Sequence, residues 1–101
     1  MASSYGWIIT KDNVTNGIEG LKTRVGMLGP RDLSEEMSDR LKNGEGAKFR
    51  MKDDDGNIYY YGRLVGDEDS EDGFGPLDDL GRPDAGATSI EYYKNGKWEV
   101  L

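Results

Sequence analysis

An α+β fold is predicted: a mostly antiparallel β-sheet of about four to six short strands, with two hairpins in the C-terminal half and one α-helix packed on it near residues 32–43. Three observations predict it. Ala47–Lys52 alternates apolar Ala47, Phe49 and Met51 with basic Lys48, Arg50 and Lys52, and Ile58–Val65 follows across a turn-forming Asp55-Gly56 pair. Leu33, Met37 and Leu41 recur every fourth residue, the spacing of one helix face. A second strand-like pair, around Ile90–Tyr92 and Trp98–Val100, flanks Asn95-Gly96. The 101 residues suit a single compact domain with a modest core.

Along the chain, Tyr5–Thr10 is rich in β-branched and aromatic residues and predicts a strand. Asn16-Gly17 and Gly20 mark turns in Lys11–Lys22, and Thr23–Leu28 suits a short second strand ended by Gly29-Pro30. Asp32 or Ser34 can cap the helix, Glu35 and Glu36 favour its first turn, Lys42 its last, and Asn43-Gly44 supplies a left-handed stop. A two-residue Asp55-Gly56 turn sets Met51 opposite Tyr60, Asp53 opposite Ile58 and Ala47 opposite Leu64, which gathers the apolar residues on one face. The other face then pairs Lys48 with Arg63, Arg50 with Tyr61 and Lys52 with Tyr59. For the last hairpin, a two-residue Asn95-Gly96 loop puts Ile90 and Tyr92 on the opposite face from Trp98 and Val100. A three-residue Lys94-Asn95-Gly96 loop pairs Tyr92 with Trp98 and Ile90 with Val100, and is preferred because it builds one apolar face.

Charge is concentrated. Thirteen Lys and Arg against twenty Asp and Glu give −7, yet residues 1–52 are +2 and residues 53–101 are −9. Asp67 to Asp84 alone carries eight acids and one Arg, which equals the whole deficit. This stretch lies in a predicted long acidic loop at about 66–87, which Phe74, Leu77 and Leu80 could anchor by apolar contact; loops of that length tend to be functional or disordered.

The absence of His and Cys excludes disulfides, thiolate or imidazole zinc sites, Cys nucleophiles and imidazole triads. Carboxylate pairs such as Asp78 and Asp79 remain, and no phosphate-loop motif occurs, so a non-catalytic protein without a cofactor is expected. The mean hydropathy of −0.79, the lack of a run of roughly 20 apolar residues and the lack of a signal-like start predict a soluble, cytoplasmic chain with no membrane partner.

The leading expectation is an acidic binding protein that presents Asp67, Glu68, Asp69, Glu71, Asp72, Asp78 and Asp79 to a basic protein partner, in the manner of an inhibitor or nucleic-acid mimic. A second reading gives Asp67, Asp69, Glu71 and Asp72 to Ca²⁺, although the EF-hand pattern fails: a start at Asp67 puts Asp72 where Gly is required and Asp78 where Glu is required. A third uses the sheet face of Lys48, Arg50, Lys52, Tyr59, Tyr61 and Arg63 to stack and hold single-stranded nucleic acid, against which the overall acidity argues. The acidic loop folding back over that basic strip would cancel both signals.

The runs Gly62-Arg63-Leu64, Gly66 to Asp72 and Phe74-Gly75-Pro76-Leu77-Asp78-Asp79, with Trp7-Ile8-Ile9-Thr10 and Trp98-Glu99, resemble small, functionally unassigned acidic proteins of bacteria and their mobile elements, over about two-thirds of the chain. The resemblance implies a compact stand-alone domain and carries no site. In composition alone, the chain also resembles phage-encoded inhibitors of host defence.

Overall fold

The computed structural model describes residues 3–15 and 18–101; the expected Asn16-Gly17 turn lies outside them. Six strands form one antiparallel sheet: β1 (Gly6–Asp12), β2 (Leu28–Gly29), β3 (Ala47–Lys52), β4 (Ile58–Val65), β5 (Ser89–Lys94) and β6 (Lys97–Val100), in the order β2-β1-β4-β3-β5-β6. The α+β expectation therefore holds. The second strand is shorter than expected, because Gly26 sits at φ 88°, a left-handed conformation that cannot continue an extended run. The same segment still bonds to β1, through Ile9 N–H to Met27 O (3.0 Å) and Gly26 N–H to Ile9 O (2.8 Å).

Helix α1 spans Glu35–Lys42. Ser34 caps it, its hydroxyl accepting the Met37 N–H at 3.2 Å, and Gly44 follows at φ 86°. Adjacent strand residues face opposite sides of a sheet, and this decides where the helix sits. A Cβ on Gly6 would fall 2.2 Å from Leu33 Cδ1 and 3.3 Å from Leu41 Cδ1, so α1 covers the side of β1 that Gly6 faces. Trp7 points to the other side, into the core.

That core joins Trp7 and Ile9 of β1, Phe49 and Met51 of β3, Tyr60 and Leu64 of β4, and Ile90 and Tyr92 of β5, each no more than 2% exposed. Burying a side chain of this size stabilises the fold by roughly 1.5–3 kcal/mol. The lid over this inner face is the segment expected to be an acidic loop. Rather than being loop throughout 66–87, it holds a 3₁₀ turn (Glu71–Phe74) and a wide, π-type helical segment (Leu77–Ala85). Leu77, Leu80 and Ala87 are buried against the core, with Phe74 packed beside them. Pro83 has no N–H and its ring would crowd the Asp79 carbonyl in an ordinary α-turn; a wider turn accommodates it. Gly86 ends the segment at φ 74°.

The hairpins correct the sequence reading in two places. In β3–β4, Met51 pairs with Tyr60, Arg50 with Tyr61, Lys48 with Arg63 and Ala47 with Leu64, as expected. At the tip, Asp53 N–H bonds to Asn57 O, Lys52 pairs with Ile58 rather than Tyr59, and Asp53 does not oppose Ile58. The loop is three residues long, closed by Gly56 N–H to Asp53 O, and a register shift between Met51 and Lys52 absorbs the extra residue. Only Gly56 has positive φ there, whereas a type I′ turn needs it at both central positions. In β5–β6 the opposite happens. Lys94 pairs with Lys97, Tyr93 with Trp98, Tyr92 with Glu99 and Glu91 with Val100, so the loop is the two-residue Asn95-Gly96 with φ 51° and 84°. Trp98 and Val100 are not on the Ile90–Tyr92 face, and the three-residue loop is wrong. Right-handed strand twist suits the two-residue turn, and its geometry outweighed the tidier apolar pattern.

Candidate functional site

Two surfaces carry the charge, and the sheet separates them. The acidic segment lies over the inner face, fixed by contacts along its length. Tyr92 donates its buried hydroxyl to Gly73 O at 2.7 Å. Asp79 Oδ2 accepts both the Tyr5 hydroxyl and the Trp7 indole N–H, each at 2.9 Å. Burial, with the Asp79 carboxylate as the next cause, pushes the Tyr5 phenol well above its ordinary range. Tyr92 moves the same way, through burial first and then the charge of Glu68.

The expected contact residues divide into two groups. Asp72 accepts the Ser4 hydroxyl (3.0 and 3.1 Å), Asp69 pairs with Lys94, Asp78 with Arg82 (3.2 Å), and Asp79 holds β1 as above. Nearby Asp84 pairs with Arg24 at 2.5 Å. In contrast, among the described residues the Asp67 carboxylate accepts only the N–H of Asp69, and Glu68 and Glu71 have no side-chain partner. Asp67 and Glu71 are exposed and Glu68 is half-buried. Among the described residues no group of three or more carboxylates converges on one point in a way that could hold a metal ion. The acidic segment does not fold over the basic strip, which is on the opposite face.

On that outer face Lys48, Arg50, Lys52, Tyr61 and Arg63 fall together as expected, while Tyr59 is drawn to the hairpin tip, where its hydroxyl donates to Asp53. Alternation along β5 adds Tyr93, and the altered β6 register adds Trp98 opposite it. Trp98 packs edge-on against Tyr61 (6.1 Å between centroids) and Tyr93 (5.3 Å), and the Arg50 guanidinium lies 4.4 Å from its ring centre. Lys11 sits over Tyr61 at 5.6 Å and Lys48 over Tyr93 at 5.8 Å. Glu91 organises the middle of the strip, accepting from Arg50 Nε at 2.6 Å and Lys52 Nζ at 3.4 Å. Its burial raises the carboxyl pKa, but the Arg50 and Lys52 interactions outweigh that and hold it below the usual range.

A cleft of about 340 Å³ opens on this face, lined by Thr10, Lys48, Tyr61, Gly62, Arg63 and Trp98, with Phe49 at its floor. Sequence reasoning missed Trp98, Tyr93, Lys11 and Glu91 as members of this surface. The signal for Trp98 was Asn95-Gly96 itself, the preferred pair of a two-residue turn, and the signal for Glu91 and Tyr93 was their alternation with inward Ile90 and Tyr92 along β5. No family model matches this chain, and no curated protein or solved structure matches it. Among the described residues no helix is long and apolar enough to cross a membrane.

Proposed function

We propose that this is a non-catalytic binding protein that presents the acidic surface beginning at Asp67 to a basic protein partner. The observation that carries the reading is that the acidic segment is a folded layer seated on the core by Leu77, Leu80 and the Tyr92–Gly73 hydrogen bond, with Asp67, Glu68 and Glu71 left without cationic partners among the described residues. A surface ordered beforehand loses less conformational freedom on association than a mobile loop would. The neighbouring pairs of Asp69 and Asp78 are solvent-exposed ion pairs, which are worth little and exchange readily for a partner's cations.

Eight carboxylates within 18 residues suit a groove that ordinarily holds nucleic-acid phosphates, whose charges recur about every 1.7 Å along a duplex axis. Occupying such a groove would inhibit its owner. The test compares the parent chain with the Asp67→Asn, Glu68→Gln, Glu71→Gln triple variant, which spares the carboxylates that hold the fold. Basic proteins captured from a lysate and released by salt should be recovered by the parent and lost by the triple variant. Recovery that is unchanged by the substitutions, or no salt-sensitive partner for the parent, refutes the reading.

A further inference from the structure

The outer face of the sheet points to a second binding site, and we propose that its cleft takes one base and the adjoining phosphate of a single-stranded nucleic acid, with the base against Trp98 and Tyr61 and the phosphate on Lys48 and Arg63. The whole chain is acidic, but its charges are segregated. Among the described residues, the strands present Lys11, Lys48, Arg50, Lys52 and Arg63 on the outer face with one carboxylate, Glu91, between them, beside the part of that face covered by α1, while the Asp67–Asp84 segment lies beyond the sheet. Charge complementarity therefore selects an anion.

The aromatic rings narrow the choice. An acidic peptide or a polyphosphate would use the cations and leave Tyr61, Tyr93 and Trp98 without a purpose, whereas a single strand alternates planar bases with phosphates at the reach of neighbouring side chains. Trp98 is held in place for stacking. Arg50 lies against its ring and is itself tied to Glu91, and Tyr61 and Tyr93 pack against it at steep interplanar angles of 63° and 66°. Lys48 is exposed, and the Arg63 guanidinium, anchored by one N–H to Gly46 O at 3.1 Å, retains further donors. The cleft volume of about 340 Å³ is of ligand-binding size. Stacked duplex bases cannot present their faces to it, so the site discriminates against double strands.

The experiment is fluorescence anisotropy with labelled oligo-dT and oligo-rU at low and rising salt, alongside a duplex of equal length and inorganic polyphosphate as competitor. The parent should bind one or both single strands, the two arms showing whether the sugar matters. One neutralised phosphate predicts a slope of log K against log salt of about −0.7. Lys48→Ala with Arg63→Ala should flatten the slope and weaken binding about tenfold or more, and Trp98→Phe should retain more affinity than Trp98→Leu. Lys48→Glu alone provides a check at an exposed position where folding is not at issue. The proposal is overturned by no salt-dependent binding of the parent, by equal binding of duplex, by polyphosphate competing as well as the unlabelled strand, or by indifference to the Lys48 substitutions. Self-association through this face without nucleic-acid binding would also overturn it. The Asp67, Glu68, Glu71 triple variant should bind the strand at least as well as the parent, which separates this site from the acidic surface.

Discussion

Asp12 is the one buried charged side chain of the described core, 4% exposed, and replacing it with Asn tests how the loop after β1 is held. Its Oδ1 accepts the N–H groups of Val14 (2.9 Å) and Thr15 (3.0 Å). Its Oδ2 accepts the Thr15 hydroxyl (2.5 Å) and the N–H of Arg24 (2.8 Å). All four partners can donate, so an amide has no orientation that suits them. With its oxygen toward Val14 and Thr15, the Asn NH₂ can give a proton to the Thr15 hydroxyl, but it meets the Arg24 N–H donor to donor. The reverse orientation strands two N–H groups instead. One orphaned donor costs roughly 1–3 kcal/mol, and the three remaining bonds lose the assistance of a charge. The expected destabilisation is about 2–4 kcal/mol, a fall in Tm on the order of 10–20 °C for a domain of this size.

Urea and thermal unfolding of Asp12→Asn against the parent measure that cost, and pH supplies a sign check. Burial raises the Asp12 carboxyl pKa, but hydrogen bonds from Thr15, Arg24 and Val14 more than offset it, so the folded value lies below the ordinary one. The unfolded chain therefore takes up the proton first. The stabilisation is present above the unfolded value of about 3.9 and is lost as pH falls through the lower folded value. The gap between parent and variant should narrow in that window. A gap below about 1 kcal/mol at neutral pH, or one constant from neutral pH into acid, would refute the reasoning.

Two further outcomes follow from single contacts. Asp79→Ala should cost roughly 1–3 kcal/mol in urea unfolding because it orphans the buried Trp7 indole N–H, whereas Asp79→Asn should cost less than half as much, since both donors use the same oxygen; tyrosinate absorbance should show Tyr5 titrating at lower pH in either variant. Gly96→Ala places a Cβ at φ 84° and should destabilise by about 1 kcal/mol, while Asn95→Gly should be nearly neutral; equal effects in thermal unfolding would count against the two-residue turn.

Much of the fold was legible in local pattern. The boundaries of β3 and β4, the pairing of their central residues and the capped helix follow from alternation, fourfold spacing and turn residues, which act over a few positions. The basic strip was legible for the same reason. The helical content of the acidic segment was missed because charge density and glycines resemble an open loop; its anchoring by Phe74, Leu77 and Leu80 was legible, and the burial of Ala87 was not. The β5–β6 register was misread because an apolar pattern was ranked above turn chemistry. With Tyr93 and Trp98 on the outer face, the aromatics pack against Tyr61 and Arg50 instead of completing the core.

The amino-acid sequence by itself determined the α+β class, the strand–turn–strand unit of β3 and β4, the helix ends, and the exclusion of thiol and imidazole chemistry. Only the tertiary structure decided which carboxylates are engaged and which remain open, and which aromatics share a face with the cations. Those questions depend on residues distant in the chain, such as Asp79 with Trp7, Arg24 with Asp84 and Trp98 with Arg50. Helix and strand periodicity report which side a residue faces along its own element; what stands on that side is set by how the elements stack. The −7 of the sequence thus becomes two surfaces of opposite sign, separated by one sheet.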